Sequence, residues 1–545
     1  MRFDDGNFVE DNFFVIDSNN CHDVKGKLYG YVITENQFIR NLHEYNKEIA
    51  NIEYGVYVNV LRKKNKIIIQ QDYWGSYGLF LYRNQDYFAL SNSFLYLANH
   101  LYKQNMLSLD KEYLSYFLFD ELASLSFDRT AIAEIKQLRK NCIVYIDTVK
   151  KELKEIPIRQ NELIYPLDSK ESFEILDKWH NKFSNFFQQL IAVDQNINVN
   201  LSGGFDSRAS FTVLAEQLNH LDKVNVFSLT TEKFKEDFEI ANSIAEKYHF
   251  KLNNEQKKET INFTPSMAVL VSLLTKMCFH KQFYSKPQYL LKPLFSFSGM
   301  GGEALRAHWK KYENSFVDTR VNYARAFDKK YGEYVKMILN ESFGIVRQYP
   351  GDLMNNFYRH TRLRSHFAKT AVEAMLKNTI SVAPLLDPSL YQIDPQCSID
   401  GNLFFSCIYQ RYLSGIIDFK FENKRTIKEE IKKLGNTIQE KYARIPTESV
   451  GYSMVNAANC FPSINKAEVD VNEYYLQFFY TPQVQKTTEK LFNIYIYNWA
   501  ARLKEEKSYY SHGNASSLIA MAILDKMCTE KEFDCLHCLS ALIKS

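Results

Sequence analysis

Glycine and proline are both scarce in this sequence, 19 and 12 of 545 residues, which leaves the composition of an ordinary folded chain: 46% hydrophobic and 24% charged. Charge of one sign is missing as well. The 67 Lys and Arg are interspersed with 64 Asp and Glu, for a net charge of +3. A polynucleotide binder gathers its positive charge on one face or helix. The densest basic stretch, Lys424–Lys433, carries two Glu and reads as a solvated helix face, so no nucleic-acid partner is expected. No run approaches the roughly 18 apolar residues of a membrane span, and the acidic N-terminus, MRFDDGNFVEDNFF, lacks a basic-then-apolar export signal. Nine cysteines, odd in number and mostly scattered, fit a reducing compartment. The expected location is therefore the cytoplasm, with no membrane partner. Cys528, Cys535, His537 and Cys538 cluster near the C-terminus, but Cys535 and Cys538 fall in a helical pattern with Leu536, Leu539 and Leu542, and structural zinc prefers two separated pairs.

What is abundant is aromatic: 36 Tyr and 40 Phe, a share that reads as compositional bias alongside the many Lys, Asn and Ile. The length calls for two or three domains. Residues 1–155 read as strand-rich. YVNVL (57–61) and KIIIQ (66–70) flank a Lys/Asn turn, a glycine-punctuated loop runs from Asp72 to Gly78, and LFLYR and YFALSN follow it. Residues 109–118 pattern as an amphipathic helix, and residues 142–147 as a closing strand. A polar stretch near 157–170 marks the boundary. Beyond it helix and strand alternate. A long amphipathic helix carries Phe173, Ile175, Leu176, Trp179, Phe183 and Phe187, and Ile197–Leu201 is the first strand. Helices at 207–218 and 236–248 enclose a second strand at 223–229, and residues 294–297 make a third. This alternation predicts a parallel sheet with right-handed crossovers. After about residue 400 the pattern is mostly helical, and no internal repeat is visible.

The sharpest local signal is LSGGFDS, Leu201–Ser207, between the first strand and its helix. Glycines there let several N–H groups turn into one concavity, and the following helix adds its unpaired amides and positive dipole end. Ser202 and Ser207 supply hydroxyls, and Asp206 can hold a divalent cation. Such a loop suits pyrophosphate with its metal. It is no Walker loop, because the terminal Gly-Lys-Ser/Thr is missing.

SGGFDS resembles the PP-loop of N-type ATP pyrophosphatases, and the surroundings resemble the asparagine synthetase and β-lactam synthetase family. SGMGGE, Ser298–Glu303, is similar to that family's SGxGxDE segment. Val382–Asp387 (VAPLLD) is similar to its R-x-P-F-L-D, with a packing role, and Asp237 and Ala241 fit its D-x-x-x-A helix. DYWGSYGLFLYRNQDYFALSN resembles a passage of the family's glutaminase half. The resemblance covers most of the chain to about residue 395. It implies an α/β protein in two parts. Residues 1–155 would be a degenerate glutaminase-like Ntn domain, an α/β/β/α sandwich. Residues 156–545 would be a parallel-sheet PP-loop synthetase domain of adenine nucleotide α-hydrolase type, helical towards its C-terminus. It implies ATP and Mg2+ as cofactors, with Leu201, Ser202, Gly203, Gly204, Asp206, Ser207, Leu229, Ser298 and Gly299 around the nucleotide. Asp206 and Glu303 would hold the metal.

Three departures qualify it. Met1 is followed by Arg2 where the family's glutaminase has its nucleophilic cysteine, so glutamine hydrolysis is not expected. Met300 stands where the family has a catalytic Glu, and a thioether cannot move protons. The family's late catalytic Lys has no clear counterpart; Lys424 is the candidate, with Lys420 behind it, so Lys424 and Glu303 are the expected catalytic residues. The expected activity is an ATP-dependent amide ligase, forming AMP and pyrophosphate, acting on a specialised bacterial carboxylate such as a sugar acid or peptide with an amine donor, in a possible homodimer. A non-catalytic nucleotide-binding or scaffold relative is the alternative. A tRNA-modifying PP-loop enzyme would instead predict a basic patch.

Overall fold

The computed structural model describes residues 12–456 apart from 51–52, 103–106, 120–125, 141, 159–163, 255–259, 263–273, 276–287, 306–312, 327, 350, 395–401, 423–424 and 447–450, together with residues 525 and 528. The chain is a mixed α/β protein with antiparallel sheets in its first part and a parallel sheet in its second.

The first part holds two antiparallel sheets. The expected hairpin is Tyr54–Lys63 paired with Lys66–Gln71, and Lys64 turns the corner at φ 49°. Seven strands share its sheet, in the order Glu152–Pro157, Cys142–Asp147, Lys66–Gln71, Tyr54–Lys63, Lys27–Ile33, Gln37–Arg40 and Ser453–Val455. The last of these returns from far along the chain to pair in parallel with Gln37–Arg40. Side chains alternate as a strand requires. Val56, Val58 and Val60 join the main core with Ile67, Ile69, Val144 and Ile146, while Tyr57 faces a small separate cluster with Leu28, Val32 and Ile39. The second sheet runs Val15–Asp17, Phe88–Ser91, Phe80–Arg83, Ile135–Gln137, and its apolar side chains enter the same main core.

The second part opens with the long helix Lys170–Ala192, capped by Ser169, whose Oγ accepts from Ser172 N at 3.2 Å. Of its expected apolar face, Phe173, Leu176, Trp179, Phe183 and Phe187 are buried and Ile175 is partly so; Phe186 is buried as well. Four strands then form a parallel sheet in the spatial order Asn225–Phe227, Asn196–Asn200, Leu294–Phe297, Thr379–Val382. The three expected strands are all present, and Thr379–Val382 adds a fourth. One expectation needs correction. The helix read at 207–218 is α-helical only over Phe205–Phe211 and then tightens to a 3-10 helix over Thr212–Lys223. At the junction Thr212 is β-branched, and its carbonyl accepts from His180 Nε2 at 3.1 Å, which favours the tighter winding. Past residue 400 the described elements are mainly helical, Asn402–Tyr412 and Glu429–Glu440, apart from Ser453–Val455. Of the C-terminal cysteine cluster, Cys535, His537 and Cys538 lie outside the described residues. Among the described residues no helix is long and apolar enough to cross a membrane.

One apolar core runs from Phe13 to Ile438 through both parts. Polar contacts lock them at the fourth parallel strand. Tyr31 and Tyr54 donate to Ser381 O at 2.5 and 3.2 Å, and Ala383 N donates to Tyr54 Oη at 2.7 Å. Arg40 donates to Asn378 Oδ1 at 2.7 Å. The VAPLLD segment is buried, as expected. Trp74 and Trp179 donate to Leu386 O and Pro384 O, and Asp387, fully buried, pairs with Lys182 at 2.9 Å.

His180 ties this core to pH. It is fully buried and stacked on Tyr412 at 4.1 Å. Burial, then the nearby Arg444 charge, pushes its pKa down to about 4. A histidine with a depressed folded pKa contributes stability that is present above its unfolded pKa, near 6.5, and is lost as pH falls towards 4. The window is worth roughly 3 kcal/mol. His180→Phe is therefore expected to flatten the stability–pH slope across that window, whatever its effect at neutral pH. Denaturant titrations at pH 7, 5.5 and 4 read the slope, and equal slopes in both proteins would refute the assignment.

Candidate functional site

The parallel sheet fixes where a ligand can sit. The chain leaves Asn196–Asn200 towards Asn225–Phe227 on one side, whereas Leu294–Phe297 leads to Thr379–Val382 on the other. Connections that depart in opposite directions open a crevice at the carboxyl ends of two neighbouring strands. The segments that emerge there are 201–207 and 298–303.

Each loop is held from within. Ser207 Oγ accepts from Ser202 N at 3.1 Å and lies 2.9 Å from Ser202 Oγ, which accepts from Gly204 N at 3.1 Å. Gly204 begins the helix Phe205–Phe211 with no side-chain cap. The second loop leaves the sheet with Ser298 N bonded to Val382 O at 2.9 Å, and Gly301 takes the left-handed φ of 94° that the turn requires. The two loops then meet backbone to backbone. A Cβ at Gly299 would fall 2.5 Å from the Asp206 carbonyl carbon, and one at Gly302 2.7 Å from Asp206 Cβ. Gly203 is pressed as closely on Asp237, where a Cβ would lie 2.7 Å from Oδ1. Only at Gly204 is there room, with Ser202 Oγ at 3.4 Å.

The charges are mostly negative. Asp206 and Glu303 sit on the meeting loops, both half-buried, and Tyr358 donates to Glu303 Oε2 at 3.0 Å. Burial pushes the Asp237 carboxyl up, Glu422 adds to the effect, and the Gly203 amide opposes it. Among the described residues, the deeply buried cation in contact with the first loop is Arg208, and it is committed to structure. Its guanidinium donates to Gly203 O and Phe419 O at 3.1 Å each and to Lys420 O, and it lies 3.9 Å over the Phe421 ring. Phe421 in turn stacks on Phe205 at 3.8 Å, and Glu422 N bonds Gly203 O at 3.0 Å. The 419–422 segment is thereby closed over the glycine loop. Burial lowers the Arg208 pKa to about 10.

Of the expected site residues, Ser202, Gly203, Gly204, Asp206 and Ser207 are brought together with Ser298, Gly299 and Glu303. Leu201 is fully buried, its amide bonded to Phe227 O at 2.9 Å. Leu229 follows that neighbouring strand and is 44% exposed, an apolar side chain open at the crevice side of the sheet. Lys424 lies outside the described residues. Lys420 is exposed, and its carbonyl is occupied by Arg208. Met300 is half-buried against the core. Arg208, Tyr358 and Tyr391, which donates to Gly301 O at 3.2 Å, went unread in the sequence; the last two lie some 55 to 90 residues from the loop they hold, with no motif to announce them.

The donor set fits a phosphate-bearing nucleotide with a hard cation. Asp206 and Glu303 offer oxygen ligands of the kind Mg2+ takes one or two at a time beside substrate phosphates. Ser298 Oγ is buried and has no hydrogen-bond partner. Among the described residues no group of three or more His, Cys, Asp or Glu could hold a metal alone. Compared with known proteins, the chain matches no family model and no curated protein.

The packing of the two loops makes a paired expectation. Gly299→Ala must push Asp206 and Ser207 away and is expected to cost about 1–3 kcal/mol, in the range of overpacked sites. Gly204→Ala, with open space at its Cβ, is expected to cost less than about 1 kcal/mol. Urea denaturation of the two variants tests the contact, and the reverse order of cost would show that the loops do not meet in this way.

Proposed function

We propose that the chain is an ATP-dependent, amide-forming ligase of the asparagine-synthetase type, in which a PP-loop synthetase domain follows a degenerate Ntn-like domain. The observation that carries this reading is the convergence of Ser202–Ser207 with Ser298–Glu303 at the crevice between two parallel strands. A carboxylate oxygen would attack the α-phosphorus of ATP, breaking the bond to pyrophosphate. An amine would then attack the acyl-adenylate and release AMP. Magnesium, held by Asp206 and Glu303, would supply charge neutralisation for the phosphates. The amides of the 202–207 loop and the Ser202, Ser207 and Ser298 hydroxyls would bind and orient the leaving group, so that catalysis is mainly positioning and electrostatic stabilisation. Leu229 would cover one face of the base.

The source of the amine is expected to lie outside the chain's own first part. Its described cysteines, Cys21 and Cys142, are buried, and burial pushes both thiols up, Cys142 to about 11, which is the wrong direction for a nucleophile. Met300 favours a second reading, a nucleotide-binding relative that has lost the chemistry, because a thioether replaces the group that would take a proton.

Titration calorimetry with magnesium and α,β-methylene ATP separates these outcomes from failure. Binding that weakens at least tenfold in Asp206→Ala, about 1.4 kcal/mol, is expected for the intact protein. Pyrophosphate release with a panel of uronic and amino acids then distinguishes ligase from mere binder. An absence of nucleotide binding in the unaltered protein would sink both readings.

A further inference from the structure

Arg359 is the unassigned charge at this site. It sits near the end of the helix Leu353–His360, beside Tyr358, which holds Glu303. Its guanidinium stacks over the Tyr391 ring, 4.9 Å from the centroid, and Tyr391 donates to Gly301 O and Leu385 O. Two side chains of the 353–360 segment thus reach the 298–303 turn, one directly and one through Tyr391.

What sets Arg359 apart is its lack of polar partners. Arg40, Arg208 and Arg364, more deeply buried, each donate to backbone carbonyls, and Arg411 forms a two-pronged pair with Asp177 at 2.6 and 2.7 Å. Arg359 makes no hydrogen bond and no ion pair among the described residues; its Nε is buried without a partner, as are those of Arg40 and Arg208, but those two guanidiniums donate through their terminal nitrogens and Arg359 does not. A ring face attracts the cation by about 0.5–2 kcal/mol but accepts none of its in-plane N–H groups. A guanidinium never deprotonates, so a partly buried one whose Nε–H is unmet carries a standing cost that an arriving oxyanion removes. The Tyr391 ring over which Arg359 lies carries its hydroxyl to Gly301 O, on the turn that bears Glu303, and burial, with the Glu303 and Asp206 charges, pushes that hydroxyl's pKa up. Arg359 therefore shares its surroundings with the carboxylates of the meeting loops.

We propose that Arg359 is an oxyanion-binding residue of the site, receiving two oxygens of a carboxylate or phosphate group in its planar fork while Tyr391 holds the guanidinium from behind. In terms of the reaction above, on which the choice of ligands rests, the anion is either the carboxylate to be activated or the departing pyrophosphate. Both present paired oxygens of the geometry a guanidinium matches.

The test uses the full chain, with inorganic pyrophosphate and D-glucuronate as separate probes in titration calorimetry, and Arg359→Gln and Arg359→Lys beside the unaltered protein. At least one probe is expected to bind, to weaken tenfold or more in Arg359→Gln, and to recover only partly in Arg359→Lys, which keeps the charge and loses the fork. The probe that responds identifies the source of the anion. Thermal melting checks that each variant folds, and the Lys variant decides the matter should Gln fail to fold. Binding of neither anion, or binding unchanged in both variants, overturns the proposal. Titration of the same proteins with α,β-methylene ATP keeps the two claims apart. Nucleotide binding without any Arg359-dependent anion would leave the ligase reading and remove this one, and the converse result would do the opposite.

Discussion

The pairing of Asn196–Asn200 with Leu294–Phe297 is the constraint on which the rest of this molecule depends. The register aligns Val199 with Phe297, so both strands end at the same level and the segments that follow emerge together. Nearly a hundred residues of intervening chain leave in one direction and return from the other. The crevice is a consequence of topology before any side chain is considered. Glycine then decides how far the loops can close. At Gly299 and Gly302 the backbone approaches Asp206 so tightly that no Cβ fits, which turns two separate turns into one surface.

The antiparallel first part acts on this surface at one remove. Tyr31, Tyr54 and Arg40 bond the fourth parallel strand and the turn before it, and Trp74 bonds the VAPLLD segment, which Trp179 of the long helix also holds. That segment packs against the second loop, with Leu386 beneath Gly301 and Tyr391 tied to Gly301 O. The buried Lys182–Asp387 pair anchors the segment from the long helix. An ion pair at such a place is weak evidence of net stability, but losing one partner would strand the other in the core. The first part thus need hold no ligand in order to set the position of the site.

How much of this was legible in the sequence follows from the range of each interaction. The Tyr54–Gln71 hairpin and the long amphipathic helix announce themselves by period, because their side chains meet neighbours a few residues away. The two glycine loops are legible for a related reason: each is a short chemical pattern at the end of a strand. Their contact is not local, and only the parallel pairing brings it about. Where the helix tightens, the Thr212 carbonyl accepts from His180, thirty-two residues earlier, a contact that escapes a reading by propensity. Arg208 looks like a surface residue of an amphipathic turn until the 419–422 segment, over two hundred residues away, lays its carbonyls on it. Arg359 stands in FYRH with no pattern around it, and its position is known only through Tyr391.

Charge balance gives these placements their meaning. The meeting loops and the helix beside them carry Asp206, Asp237 and Glu303, with Glu422 close by, and the fully buried cation among them, Arg208, already donates to three carbonyls. Arg208 fixes the shape of the glycine loop and has few donors left for a ligand. A phosphate would therefore enter a region whose acidic groups oppose it, and it could stay only if positive charge came from outside the loop. A divalent cation on the two half-buried carboxylates would reverse the local sign, and the Arg359 guanidinium, without a hydrogen bond or ion pair among the described residues, would add to it. On the reading proposed above, the acidity of the crevice and the unpaired Arg359 guanidinium would have a common cause, since one reactant that brings a metal and an anion together would complete both.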